Sequence, residues 1–535
     1  MKLSSFDFAI LAGYIVAILA IGYRLKDRMK TSTEFLAAGR SLPLWITGIS
    51  FMAANLGSLE IVGMIGNGAK YGMMTNHWYW IGAIPAMVFL GLFMVRFYYA
   101  SGVRSVPEYL KRRYDWRAHV LNSLGFLVVT ILMSGINMFA LALFCEKLLG
   151  WKFGFSVLFA AGVVVVYTFL GGLRSSIYNE VLQFFLIVIG FLPLPIIGLI
   201  KVGGWSALLA KLPQSHCHTW IGMGNPADNP LGVNWFTCIL AMGFIMSPAY
   251  WCTDYLLVQR ALAAKDLNTA RKTPLFAAFP KMFFPFLVTV PGMIALALMP
   301  EALKENGNDN FNLALPALMT SFYPHGLLGL GFTALMASFM SGMAGNVTAF
   351  NTVWTNDIYQ TYLVKNRPDH HYLTVGRVAT VVGTALSVWA SYILLHFNNM
   401  LDYMNLIATV FIHPFFVIFL VGMCWKRATA TGGFWGILAA ITASVTQWVL
   451  YNTHHLKFSS PMAAAQNQAI WAAGAGLLTI IVVSYCTKAP SKESLVDLVW
   501  TRVRDKGTGT VWFKSVWTMA AIVMVIFFVL NYVFR

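Results

Sequence analysis

Charge is scarce in this chain. Lys, Arg, Asp and Glu together make up 11 % of its 535 residues, against about 25 % in a soluble domain. The shortage excludes a soluble globular enzyme. The hydrophobic share excludes disorder as well, since segments that stay unfolded combine low hydrophobicity with high net charge. Acidic residues are rarer than basic ones, 20 against 37. Cysteine is also sparse: Cys145, Cys217, Cys238, Cys252, Cys424 and Cys486 are scattered without a C-x-x-C pair. Neither a zinc framework nor a disulfide scaffold is signalled. Ser215-His216-Cys217-His218 carries three metal-type side chains. Neighbours that close rarely share a tetrahedral site, so an ordinary loop is the expectation. No interval between apolar runs exceeds about 35 residues, which leaves no room for an extramembrane catalytic domain.

What is abundant is apolar surface. Hydrophobic residues make up 58 % of the chain and the mean hydropathy is +0.67. Fourteen apolar stretches can be marked, at 6–25, 45–65, 73–98, 119–147, 152–171, 177–201, 235–258, 274–299, 326–352, 374–396, 402–424, 432–453, 468–487 and 512–533. Each approaches the roughly 20 residues that cross a bilayer as a helix. Barrel strands are about ten residues long and alternate in polarity, so helix is the expected state. The first stretch lacks a basic start and an A-x-A cleavage site, so it is expected to stay as a span.

Basic residues divide unevenly between alternate loops. One side collects 27 Lys and Arg, among them Arg24, Arg104, Arg112, Arg271, Lys365 and Lys488; the other holds nine. Lys281 alone is left inside a span. The positive-inside rule then predicts that the crowded loops are cytoplasmic and both termini outside, in a cell (inner, cytoplasmic) membrane. The net charge of +17 thus reports topology and contact with the lipid bilayer, not nucleic acid. Segment 353–373, with Asp357, Asp369 and His370-His371, is expected to be a solvated cytoplasmic loop.

Ionisable groups inside spans cost at least about 2.5–3.5 kcal/mol each on insertion scales, so each calls for a reason. The candidates are Glu60, Glu180, Asp254 and Lys281. Ala53-Ala-Asn-Leu-Gly-Ser-Leu-Glu60 concentrates poor helix formers inside the second span. Two readings stand: an unwound stretch whose carbonyls bind a cation, or small residues that let two helices approach. In the seventh span, Met246-Ser-Pro-Ala-Tyr-Trp251 places Pro248 within an apolar helix, removing one backbone hydrogen bond. Tyr250 and Trp251 beside it suit either a flat platform for a small polar ring or an interfacial aromatic belt. Interruptions five crossings apart are what an inverted five-plus-five repeat gives. In the ninth span, Ser338 and Ser341 share one helical face, and hydroxyl and carbonyl oxygens suit a hard cation.

Several motifs, taken together with the span count, carry a resemblance. They are Glu34-Phe-Leu-Ala-Ala-Gly-Arg-Ser-Leu-Pro43, Ala53-Ala-Asn55, Ser105-Val-Pro-Glu-Tyr109 and Tyr167-Thr-Phe-Leu-Gly-Gly-Leu173, followed by Gln259-Arg-Ala-Leu-Ala-Ala-Lys265, Phe276-Ala-Ala-Phe-Pro-Lys281, Asp357-Ile-Tyr359 and Trp425-Lys-Arg427. Running nearly end to end, they make the chain similar to the sodium:solute symporter family, in the branch holding the bacterial sodium/galactose and animal sodium/glucose cotransporters. The resemblance implies an all-α polytopic protein of about fourteen helices with a LeuT-like inverted repeat. The implied units are an N-terminal helix and loop (1–44), the first repeat, spans 2–6 (45–201), an external loop (202–234), the second repeat, spans 7–11 (235–427), and three C-terminal helices (428–535). It also implies a secondary active transporter rather than an enzyme.

Carried over by position, the family's sodium site falls on backbone oxygens of Ala53, Leu56 and Ser338 and the hydroxyl of Ser341; an adjacent family hydroxyl residue is Gly342 here. Glu180 takes the place of an Asp and is a candidate for ion coupling. The implied solute site comprises Glu60, Tyr79, Ser247, Tyr250, Trp251, Lys281 and Asn405. Glu60 replaces a Gln, Asn405 a Gln, Ser247 an Asn and Tyr79 a Glu, so the accepted hydroxyl pattern differs from that for galactose. The expectation is symport of Na+, as coupling ion and not a permanent cofactor, with a sugar or similar small polar solute. No protein or nucleic-acid partner is implied. The alternatives are another solute (an inositol, a sugar acid), a proton-coupled variant, or a sensor or channel on the same scaffold.

Overall fold

The computed structural model describes residues 3–25, 40–305, 307–396, 400–500 and 515–535; side chains at 25, 147, 148, 167, 169–172, 396, 401, 402, 405 and 406 lie outside that description. The motif portion 34–39 and the Asn405 side chain therefore fall outside the described residues. Helix dominates what is described, with one short antiparallel pairing of Lys304–Glu305 with Asn308–Asp309. Helix ends are set by recognisable chemistry. The Asp115 side chain accepts from the N–H groups of Arg117 (2.9 Å) and Ala118 (3.2 Å), satisfying donors that the helix Trp116–Leu149 leaves unpaired at its start. Gly150, at φ +67°, closes the same helix in the left-handed region.

Among the described residues, twelve helical runs are long and apolar enough to cross a bilayer, and three apolar helices, Leu44–Asn55, Phe153–Val166 and Phe311–Phe322, are shorter. Two of the fourteen expected stretches are not among these runs: 45–65, which is broken, and 152–171, whose side chains at 167 and 169–171 lie outside the description. The stretch 45–65 is cut at Leu56–Gly57. Its halves, Leu44–Asn55 and Ser58–Tyr71, are each too short to span alone, and the second ends at Gly72 (φ +58°) before the next crossing begins. The stretches 152–171 and 177–201 are not separated by a helix terminus: helical backbone persists from Phe153 to Phe191, and the expected boundary contains no proline to end it.

A third expectation also fails. Segment 353–373 is not all solvated loop, because Val353–Leu363 continues the ninth span as π-helix. Asp357 is 2 % exposed and bonded to His119 Nε2 at 3.2 Å. A buried carboxylate requires such a partner.

Burial orders the bundle. The run Leu327–Leu363 is 89 % buried, against 28 % for Ser5–Arg24 and 33 %, 33 % and 22 % for the last three helices. The first helix and the last three therefore sheathe a central bundle, as a repeat with one helix before it and three after requires. Two interrupted helices lie in that bundle. The first breaks between α1 (Leu44–Asn55) and α2 (Ser58–Tyr71). The second breaks at Asp254, between α3 (Ser247–Thr253) and α4 (Tyr255–Leu262), where the backbone is extended (φ −73°, ψ 115°). The expected break at Pro248 is thus displaced by six residues. Pro248 is absorbed because the preceding turns Ile239–Met246 are π-helical, and a proline in the first turn of the next helix lacks only an N–H that is unpaired there anyway.

Candidate functional site

The first break exposes backbone oxygens. After Asn55 the chain turns through Leu56 (φ −85°, ψ 48°) and Gly57 (φ −67°, ψ 167°) before α2 begins. Helix α5 (Leu327–Thr352) crosses this turn. Ser341 Oγ donates to the Ala53 carbonyl at 2.8 Å and Ser338 Oγ to the Leu56 carbonyl at 2.6 Å. All four residues are completely buried. The four expected sodium-site residues are therefore together, with one difference: Ser338 presents its hydroxyl, while its backbone oxygen belongs to the helix.

Gly342 faces the break itself. A Cβ at this position would lie 2.9 Å from Gly57 Cα and 3.3 Å from Asn137 Oδ1, so the close approach of α5 to the turn requires glycine. Asn137 occupies the remaining space. Its Oδ1 accepts from Ser58 Oγ (3.2 Å) and the Leu59 N–H (3.4 Å), and its backbone oxygen accepts from Ser58 Oγ (2.9 Å). It thereby meets donors at the start of α2. Sequence reasoning missed Asn137, since one amide in a long apolar span carries no spacing signal.

Beside this turn lies a cavity of about 190 Å³, below the roughly 300–1,000 Å³ of drug-sized sites, so its ligand is small. One wall is polar and tightly knit. Lys281, on the helix Leu267–Phe283, is 2 % exposed. Its ammonium donates to Asn55 Oδ1 and to Glu60 Oε1, the latter at 2.6 Å. Tyr79 OH donates to the same Glu60 oxygen at 2.9 Å, and Asn55 Nδ2 donates to Tyr250 OH at 3.1 Å. The Lys281 nitrogen also lies 4.7 Å from the Tyr79 ring centre and 5.4 Å from that of Trp251, an arrangement that supports a desolvated cation.

Five methionines, Met64, Met133, Met242, Met246 and Met404, line the other walls, giving a polarizable and adaptable surface. Glu60, Tyr79, Ser247, Tyr250, Trp251 and Lys281 all line the cavity. Tyr250 and Trp251 do not form a flat platform: their rings stand at 86° with centroids 5.6 Å apart, and Trp251 stacks on Phe51 at 5.9 Å. Consecutive residues on a helix point about 100° apart, which prevents two coplanar faces. Asn55 was legible only as a helix breaker, yet it links the turn, Lys281 and Tyr250.

Glu180 lies elsewhere. It is fully buried, does not line the cavity, and is held by Arg260 and by Ser50 Oγ. Its second oxygen also receives Arg260 Nε at 3.2 Å. Both oxygens are thus engaged, tying the helix that carries Glu180 to Ser50 of α1 and Arg260 of α4. In the segment 203–234, His216 Nε2 lies 3.1 Å from the Lys70 carbonyl, and burial holds its imidazole below the usual pKa.

With this geometry in view, comparison with known proteins is informative. The model of the sodium:solute symporter family matches residues 35–440. Sodium/glucose cotransporter 4 of Danio rerio is 28 % identical over 93 % of this chain and 81 % of its own length. Sodium/myo-inositol cotransporter 2 of Oryctolagus cuniculus is 28 % identical over 93 % and 79 %. Among solved structures, a substrate-bound, outward-open Na+-coupled sialic acid symporter superposes with a TM-score of 0.75 at 19 % identity, covering 91 % of this chain and 99 % of that one. At that identity the likeness establishes the fold.

Proposed function

The chain belongs to the sodium:solute symporter family, and from that premise we propose that it moves a small neutral polyhydroxylated ring, a sugar or an inositol, across the cytoplasmic membrane together with Na+ by alternating access. It is a multi-pass membrane protein and a transporter, not an enzyme. The observation that carries the reading is the pairing of the Ser338 and Ser341 hydroxyls with the Leu56 and Ala53 carbonyls, directly beside the Lys281–Glu60–Tyr79 wall.

Na+ is a hard cation that takes oxygen donors. In this reading it binds between those four groups, and the two hydroxyls rotate to offer lone pairs instead of donating to the carbonyls. The ion then orders the turn at Leu56–Gly57, which positions Asn55 and Glu60 for the solute. Such coupling between sites is commonly worth about 1–3 kcal/mol. One inward Na+ gains about 2.3 kcal/mol per 100 mV of membrane potential. The Lys281–Glu60 pair carries no net charge but offers both donor and acceptor, which suits a neutral ring with alternating hydroxyls rather than an acid. Tyr250, bonded to Asn55, serves as the group that must move for release. We place both termini outside, following the distribution of basic residues.

Uptake into proteoliposomes tests this. A panel of hexoses, inositols and sugar acids is offered under a Na+ gradient, a H+ gradient or none. Concentrative uptake of a neutral ring under Na+ alone supports the reading; uptake indifferent to Na+ removes it.

A further inference from the structure

The cavity has a second polar region, one helical turn beyond Tyr250. Asp254 sits at the second break, with its N–H on the Tyr250 carbonyl at 3.2 Å. Its Oδ1 accepts the Leu256 N–H at 2.8 Å and so caps α4. Its Oδ2 makes no hydrogen bond among the described residues. Asn346 stands one turn beyond Gly342 and two beyond Ser338 on the same face of α5. It is 6 % exposed, and its carboxamide makes no hydrogen bond among the described residues. Both side chains line the cavity. Their elements touch: Leu256 lies 3.2 Å from where a Cβ of Gly345 would stand.

Two acids line this cavity, Glu60 and Asp254. Glu60 is neutralised by Lys281. The cation nearest Asp254 along the chain is Arg260, and its guanidinium is held by Glu180 and by the Leu256 carbonyl. Among the described residues Asp254 is therefore the cavity acid without an ion pair, and a buried charge calls for a partner. The first cation site contains only neutral carbonyls and hydroxyls.

Resting on the reading of the chain as a Na+-coupled symporter, we propose that Asp254 and Asn346 hold a second Na+, one step along α5 from the first. A carboxylate oxygen and an amide oxygen are both hard donors. Ser338, Gly342 and Asn346 place the two stations two turns apart on one face of α5, and the carboxylate supplies the negative charge that the first station lacks.

The test is equilibrium binding of radioactive Na+ alone to the purified full-length protein, without solute. The expected result is two Na+ per chain, with one of the two weakened by about tenfold in Ser341→Ala and one lost in Asp254→Asn. Asparagine preserves the helix cap while removing the charge. Asn346→Ala leaves that cap untouched and should weaken one of the two sites by about tenfold, the loss of one ligand. A wild-type chain that binds one Na+, or two that survive both Asp254→Asn and Asn346→Ala, overturns the second station and leaves the symport reading standing. A chain that binds none overturns both.

Discussion

The Lys281–Glu60 pair offers the most quantitative test of the solute wall. Lys281 is 2 % exposed, and its partner's side chain is 18 % exposed. Removing the ammonium in Lys281→Met leaves the Glu60 carboxylate with only the Tyr79 hydroxyl; removing the charge in Glu60→Gln leaves a buried ammonium with only Asn55. Breaking a buried pair by deleting one partner costs about 3–5 kcal/mol, so each single variant should unfold at a clearly lower temperature in detergent. The double variant, Glu60→Gln with Lys281→Met, removes both charges. Replacing a buried pair by uncharged groups is often neutral, so its melting point should return to near the wild-type value, giving a coupling energy equal to the sum of the two single losses, about 6–10 kcal/mol. Its uptake should not return, because the solute has lost its charged donor and acceptor together. Single variants as stable as the wild type would refute the energetic reasoning; a double variant that transports normally would refute the assignment of the wall.

Two further outcomes follow from the packing. Gly342→Ser restores the hydroxyl of the family pattern, but its Cβ would press on Gly57 Cα at 2.9 Å. Overpacking of this kind costs about 1–3 kcal/mol, so Na+-driven uptake and melting temperature should both fall, and Gly342→Ala should fall alike; improved uptake in the serine variant would contradict this. Glu180→Gln should destabilise the protein by about 3–5 kcal/mol by leaving Arg260 buried and unpaired, while the Na+ concentration for half-maximal uptake in the surviving protein stays unchanged; a shifted Na+ requirement would return Glu180 to the coupling machinery.

Much of this architecture was legible from the residues, and the exceptions have physical causes. Hydropathy marks where chain is buried in lipid, so the outer helices were easily seen. It does not mark where backbone turns inside the membrane, so the break within 45–65 had to be read from residue types instead. The unwound turn at Leu56–Gly57 could be foreseen because Asn, Gly and Ser stood together. The break at Asp254 could not, because Pro248 gave the louder signal while the π-helical turns before it relieved the strain. Lys281, Glu60 and Tyr79 were each identifiable, yet only folding shows that the three form one hydrogen-bonded wall. Asn137 and Asn346 lay beyond reach, as single amides in apolar helices become meaningful only when a neighbouring helix is placed against them. Asp357, expected in solvated loop, is buried because the ninth span continues past its apolar stretch.

The account depends above all on the cation held between the broken first helix and α5, and the Na+ dependence of uptake by Ser341→Ala measures that most directly. With wild-type and variant reconstituted at equal amounts and the best solute supplied, initial uptake is followed as Na+ is raised. Loss of one of four oxygen ligands predicts a Na+ requirement raised by about tenfold or more, equivalent to at least about 1.4 kcal/mol, with solute transport recovering at high Na+. Superimposable Na+ curves for the two proteins would contradict the account.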